Sequence, residues 1–304
     1  MIGKQRYLFG LVLVLAILLV FTAGCQMLAT EPTPSPAESA AAAEAAVEEF
    51  IDAYPLAATA WTLAYFGPPE ESLPVLPDTR ASVVYFWDRY AGYDGCNWFL
   101  GVYSAAAEGE LRMMTPTRTR NVCEPAGLYE QASMYMGALL NTTEYLFEGE
   151  QLVANTVDDQ RLLTHDPAKP VPMPGTEWDL GFWWDADREQ WAPVVLESRT
   201  FIVFSEDGEA SGSGGCNSYT VSYEGDLQIE KVMEATDTYA ELPVLTFGPI
   251  TAQMAECTEP DGIMDQEQGY FTALDSVAYY FKLGGMQMML DAEGTPLLLF
   301  GARN

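Results

Sequence analysis

The chain has 304 residues, enough for two ordinary domains, and at 49% hydrophobic and 12% aromatic it can build buried cores, which argues against a disordered chain. It carries 44 acidic against 14 basic residues, a net charge of −30. Such a surface repels nucleic acid and anionic headgroups, leaving solubility or a cationic partner as its use.

The N-terminus opens with Lys4 and Arg6, followed from Tyr7 by an almost unbroken apolar run to Val20. That is the length of a signal-peptide core and short of the roughly 20 residues a membrane span needs. The run ends in Thr22-Ala23-Gly24-Cys25. Small residues before a cysteine resemble the lipobox of bacterial lipoproteins, although Thr22 stands where leucine is usual. The resemblance implies cleavage after residue 24 and lipidation of Cys25, which then anchors the chain to a membrane. Residues 25–57 read as the lipidated cysteine and a stalk: a Pro/Ser-rich spacer, then an alanine-rich helix former with Val47, Phe50, Ile51 and Tyr54 on one side.

The rest of the chain is organised by an internal repeat. The first copy, 58–164, begins at Trp61 in Thr59–Leu63. It continues through the strand-like Val83–Phe86, the turn Gly95-Cys96-Asn97 with Tyr103 beyond, and Cys123. Glu130-Gln131 then opens a helix ending near Leu139, and Leu152–Ala154 is a closing strand. The second copy, 176–304, answers with Trp178, Phe201–Phe204, Gly215-Cys216-Asn217 with Tyr223, and Cys257. Its helix is opened by Glu267-Gln268 and runs to near Leu274, before strands at Met288–Leu290 and Leu297–Phe300. The wider cysteine spacing of the second copy predicts an extra loop within 230–245. Between the copies, 165–175 holds four prolines and reads as a stiff linker containing His165.

Strand segments alternating with period two, and one helix per copy with apolar residues on one side (Leu128, Met134, Leu139; Ile263, Phe271, Leu274), predict an α+β fold. Each of the two similar domains is expected to be a curled antiparallel sheet with one main helix against it. The ordered set of Trp-x-Leu, Gly-Cys-Asn with a following aromatic, second cysteine and Glu-Gln-led helix, occurring twice, resembles the META domain family (HslJ-like). Thr119, four residues before Cys123, fits that pattern; in the second copy Gln253 replaces the threonine, while Phe247–Ile250 and Met254 look familial. The resemblance implies the same curved sheet or partial barrel. The order of the cysteines in the repeat argues for Cys96–Cys123 and Cys216–Cys257, as the resemblance also implies. Each bridge would stabilise its domain by roughly 3.5–4 kcal/mol.

Gly95 and Gly215 are expected to let the backbone bend, with Asn97 and Asn217 satisfying backbone groups there, ligand contact being the alternative. Trp61 and Trp178 read as core. Trp183, Trp184 and Trp191 lie in the polar stretch FWWDADREQW outside the repeat and are either a packing cluster or a partner contact.

A single histidine, His165, argues against Ser-His-Asp and Cys-His catalysis and against His-rich metal sites. No phosphate loop or dinucleotide fingerprint is present. No cofactor is expected, and no nucleic acid. The expectation is a noncatalytic module that binds an envelope or extracellular protein or supports envelope integrity. The alternatives are a carrier of an apolar ligand within a curved sheet, and a glycan hydrolase using two carboxylates.

Overall fold

The computed structural model describes residues 54–106, 109–124, 126–227, 242–253 and 255–303. The signal segment, Cys25, the stalk up to residue 53, Met254 and most of the expected extra loop lie outside the described residues.

The first domain runs β1 (Thr59–Phe66), β2 (Leu73–Pro74), β3 (Ser82–Phe86), β4 (Arg89–Tyr93), β5 (Trp98–Ala105), β6 (Leu111–Met113), β7 (Thr117–Arg118), helix α1 (Leu128–Asn141), β8 (Glu144–Glu148), β9 (Gln151–Asn155) and β10 (Arg161–Pro167). The second repeats it closely: β11 (Glu177–Asp185), β12 (Gln190–Pro193), β13 (Phe201–Phe204), β14 (Glu209–Ser213), β15 (Ser218–Gly225), β16 (Leu245–Phe247), β17 (Thr251–Ala252), helix α2 (Ile263–Ser276), β18 (Tyr279–Leu283), β19 (Met286–Leu290) and β20 (Pro296–Ala302).

In each domain the sheet is antiparallel throughout, in the order β6-β5-β4-β3-β1-β10-β9-β8 and its counterpart β16-β15-β14-β13-β11-β20-β19-β18. The ends of each path meet through the bridges Glu110–Glu144 and Val244–Tyr279, so both sheets curl almost into barrels. Even the irregularities repeat: a register shift at Leu63/Tyr65 of β1 recurs at Leu180/Phe182 of β11. This near-closure removes most of the exposed sheet edge.

Alternation along the strands sends one set of side chains inward. Trp61, Leu63, Tyr85, Tyr90, Phe99 and Tyr135 are among the residues that fill the first barrel. Trp178, Leu180, Phe204, Tyr219, Tyr270 and Phe300 are among those that fill the second. The helices contribute one face each: Leu128, Ala132, Tyr135 and Leu139 are buried in α1, and Ile263, Tyr270 and Leu274 in α2. Met134, expected on that face, is instead 42% exposed, because its place on the turn points it away from the sheet.

The outward set is not all solvated. Val84, Phe86, Ala91, Trp98 and Leu100 of the first domain pack with Phe182, Phe281, Met286, Met288 and Leu299 of the second in one buried cluster. Both domains belong to one compact unit. Residues 165–167 are not linker: β10 pairs His165 with Leu63 and Leu152, and the strand's hydrogen bonds hold the first of the prolines in the barrel.

Candidate functional site

The Gly-Cys-Asn turns are built alike but satisfied differently. Each is closed by its own bridge, Cys96–Cys123 and Cys216–Cys257. Gly95 and Gly215 have φ of 99° and 117°, a region that L side chains rarely enter. In the first domain the Asp94 carboxylate accepts from the backbone N–H of Cys96 and Asn97 at 2.9 and 2.7 Å. It is also paired with Arg118. In the second, Gly214 stands where Asp94 would be, and Glu267 reaches from α2 to accept from Cys216 and Asn217 at 3.1 and 2.6 Å. The position of Glu267 on its helix is that of Ala132 on α1.

Asn97 accepts from the Asn121 N–H at 2.7 Å, and Thr119 accepts from the Trp98 N–H at 2.9 Å. Asn217 accepts from Ala255 N–H and donates to its carbonyl. Both asparagines therefore brace backbone groups, Asn217 also donating to Glu267 at 2.6 Å, and two buried glutamines each hold a backbone N–H and neighbouring hydroxyls. Gln131 accepts from Leu76 N–H at 2.6 Å and donates to Thr79 at 2.9 Å. Its counterpart is Gln266, which accepts from Val195 N–H at 2.5 Å and donates to Ser198 and Thr200. The pairing of Glu130-Gln131 with Glu267-Gln268 is thus two residues out of register: both helices begin earlier, at Leu128 and Ile263, and Glu130 and Gln268 are exposed.

The three tryptophans of FWWDADREQW are half-buried rather than exposed. Trp184 and Trp191 face each other across β11 and β12 with rings 5.9 Å apart. Trp183 points the other way and lies over Gly269 of α2. His165 is buried in the first barrel, 3.1 Å from the Tyr135 hydroxyl. Burial lowers its pKa to about 4, against the opposing pull of the Leu152 backbone and the charge of Asp166.

The glutamines hold a motif that the sequence reading passed over. Leu76-Pro77-Asp78-Thr79-Arg80 and Val195-Leu196-Glu197-Ser198-Arg199 occupy equivalent places before β3 and β13. In each, the acidic residue is left-handed (φ 58° and 64°) and the hydroxyl donates three residues back, at 2.7 and 2.6 Å. The signal was present as a repeated acid-hydroxyl-arginine just before an apolar strand.

Both arginines line one cleft between the domains. It has a volume of about 440 Å³ and is also lined by Tyr93, Trp98, Asp179, Leu180 and Arg303. Arg199 pairs with Glu177 and Asp179 of β11, and Arg303 lies 3.5 and 3.7 Å from the same two carboxylates. Burial raises the Asp179 pKa, against the pull of Arg303 and Arg199. Arg80 has no ion pair among the described residues; one nitrogen donates to the Ala302 carbonyl at 2.9 Å, and its buried Nε has no partner. An adjoining groove of about 810 Å³, lined by Asn97, Arg118, Arg120, Tyr129 and Leu196, shares Asn121 and Val194 with the cleft.

Among solved structures, an NMR structure of a protein from Burkholderia xenovorans is 22% identical, over 46% of this chain and 91% of that one, with a TM-score of 0.32. A DUF4847 family protein from Bacteroides vulgatus is 13% identical, over 36% of this chain and 93% of that one, with a TM-score of 0.28. No curated protein matches. The META domain family matches residues 54–169 and again 171–304. The chain therefore belongs to the META domain family and carries two tandem copies of its domain.

Proposed function

We propose that this chain is a lipid-anchored extracytoplasmic binding protein that performs no covalent chemistry, its two META domains jointly presenting the binding surface. The observation that carries the reading is the division of the molecule: both barrels are filled by large side chains, while polar and charged groups line a cleft beside the apolar interface between the domains. Clefts at domain interfaces are common ligand sites. Two disulfides fit an oxidising compartment. Lys4, Arg6, the apolar run and Cys25 support export and lipidation.

The filled barrels count against the carrier reading, since Tyr85, Phe99 and Tyr135, or Phe204, Tyr270 and Phe300, occupy the space a lipid tail would need. For a glycan hydrolase, Glu177 and Asp179 are poor candidates. They lie side by side on one face of β11, tied to Arg199, rather than opposed across a sugar.

The test is metabolic labelling of the full chain with palmitate, beside a Cys25→Ser variant. A labelled, membrane-bound chain whose label is lost in the variant is expected; an unlabelled full chain would remove the anchor from the reading. Photo-cross-linking in intact cells from position 78, at the cleft, should capture a discrete species. Capture there equal to that from a probe at exposed Val157 would count against the cleft as the binding surface.

A further inference from the structure

The duplication supplies its own comparison for what Arg80 is for. Arg80 and Arg199 stand at the same position of the same turn, each before the strand that pairs with the Trp-bearing strand of its domain. In the second domain that strand places Glu177 and Asp179 against Arg199. The equivalent residues of β1 are Ala60 and Thr62. The first domain has therefore kept the arginine and lacks both acids, in a chain with 44 acidic residues.

Arg80 is half-buried, and burial lowers its pKa, so its charge is held at a cost with no carboxylate among the described residues to offset it. Its Nη2 meets only a carbonyl, and its Nε meets nothing. Tyr93 lies within electrostatic reach of Arg80 and Arg303 and stacks its ring 4.5 Å from that of Trp98. The cleft thus offers one guanidinium without a counter-charge among the described residues, and the phenol ring of Tyr93 with the edge of Trp98 behind it.

We propose that the cleft around Arg80 binds the carboxylate of a small, partly apolar ligand, which gives Arg80 the counter-charge that Glu177 and Asp179 give Arg199. The proposal rests on the reading of the chain as a binding protein. A carboxylate paired in the plane of the guanidinium satisfies two donors at once, which a neutral group cannot do. Tyr93, half-buried at the cleft, would cover the ligand's apolar part. Asp78 and Glu124, exposed at the rim, would disfavour a ligand carrying a second negative charge.

The experiment uses the whole exported chain with Cys25→Ser, titrated with N-acetylphenylalanine and with its uncharged primary amide. Calorimetry and the Arg80 Nε–H resonance are followed together. The acid is expected to bind and to shift that resonance, with the amide at least tenfold weaker. Arg80→Gln should weaken the acid at least tenfold. Because Arg80 also touches Ala302 and its loss could loosen the domains, Thr62→Asp provides a second route. It keeps Arg80 and installs the acid found at the equivalent place in the second domain, so it should also cost at least tenfold. The new acid faces Asp166 of β10, which lowers the unfolding temperature. Thr62→Asn, which adds no charge, is therefore run beside it and should leave the acid bound. Failure of the acid to bind, equal binding of acid and amide, or binding indifferent to Thr62→Asp would overturn the proposal. None of these outcomes bears on palmitate labelling of Cys25, so the anchor would stand or fall separately.

Discussion

His165 and Phe300 occupy one position in two copies of a barrel, paired with Leu63 and Leu180 respectively. The buried tyrosine of each helix needs a partner, and the two copies find it on different strands. Tyr135 uses His165 on β10, whereas Tyr270 uses Tyr219 on β15 at 2.6 Å, where the first copy has Phe99. Burial raises the pKa of Tyr135 well above its ordinary value and lowers that of His165 to about 4, so both are neutral in the folded chain. Below pH 6.5 the unfolded histidine takes up a proton that the folded one refuses until about pH 4. Stability is therefore complete above pH 6.5 and falls as the pH drops through that window, by about 3 kcal/mol at pH 4. Urea unfolding at pH 7 and pH 4 should show this loss in the wild type, over and above the loss in the doubly substituted His165→Phe, Phe99→Tyr chain. Equal losses in both would show that His165 is not the group responsible. From sequence, His165 read as a linker residue because four prolines follow it within ten residues; hydrogen bonding to β1 and β9 decided otherwise.

At the scale of the turn and helix, the two Cys-Asn turns show one requirement met by two routes. Two backbone N–H groups at the bend are buried and need an acceptor. Asp94 supplies it locally, and Glu267 supplies it from α2. The second route excludes the first, because a Cβ at Gly214 would lie 2.7 Å from the Glu267 side chain. Glu267→Ala should destabilise the chain by about 3 kcal/mol, leaving two amides and the Asn217 side chain without their acceptor. Adding Gly214→Asp should recover at least half of that once the Phe271 ring, 2.9 Å from the new Cβ, gives way. A double-mutant cycle in urea measures the coupling, and additive losses would contradict the exchange. This is also why matching Glu-Gln in one copy to Glu-Gln in the other misled. Glu130 is an exposed helix residue and Glu267 a buried acceptor, a difference invisible in the dipeptide. The truly equivalent residues, Gln131 and Gln266, are marked by the turns they hold.

At the scale of the molecule, the outer faces of β3, β4 and β5 are covered by β11, β18, β19 and β20. Trp98 lies so close on β20 that a Cβ at Gly301 would fall 1.8 Å from its ring. An apolar interface of this kind makes the domains depend on each other. Calorimetry should show one cooperative transition in the wild type, and Gly301→Val, which drives a methyl group into Trp98, should split it into two. Two transitions in the wild type would refute the dependence.

The duplication, the pairing of the cysteines, the antiparallel α+β domains and the family were all legible from residue order, because alternation and covalent spacing are local properties of the chain. The fate of the outward apolar set was not. Period two separates the two faces of a strand but does not say whether the second face meets water or another barrel. The same limit hid the cleft. Arg80 and Arg199 are 119 residues apart in the chain, and only the packing of the domains brings their turns to one cavity. Whether an arginine is neutralised depends on which strand lies beside it, and that is decided where tertiary structure sets the distances over which charges act.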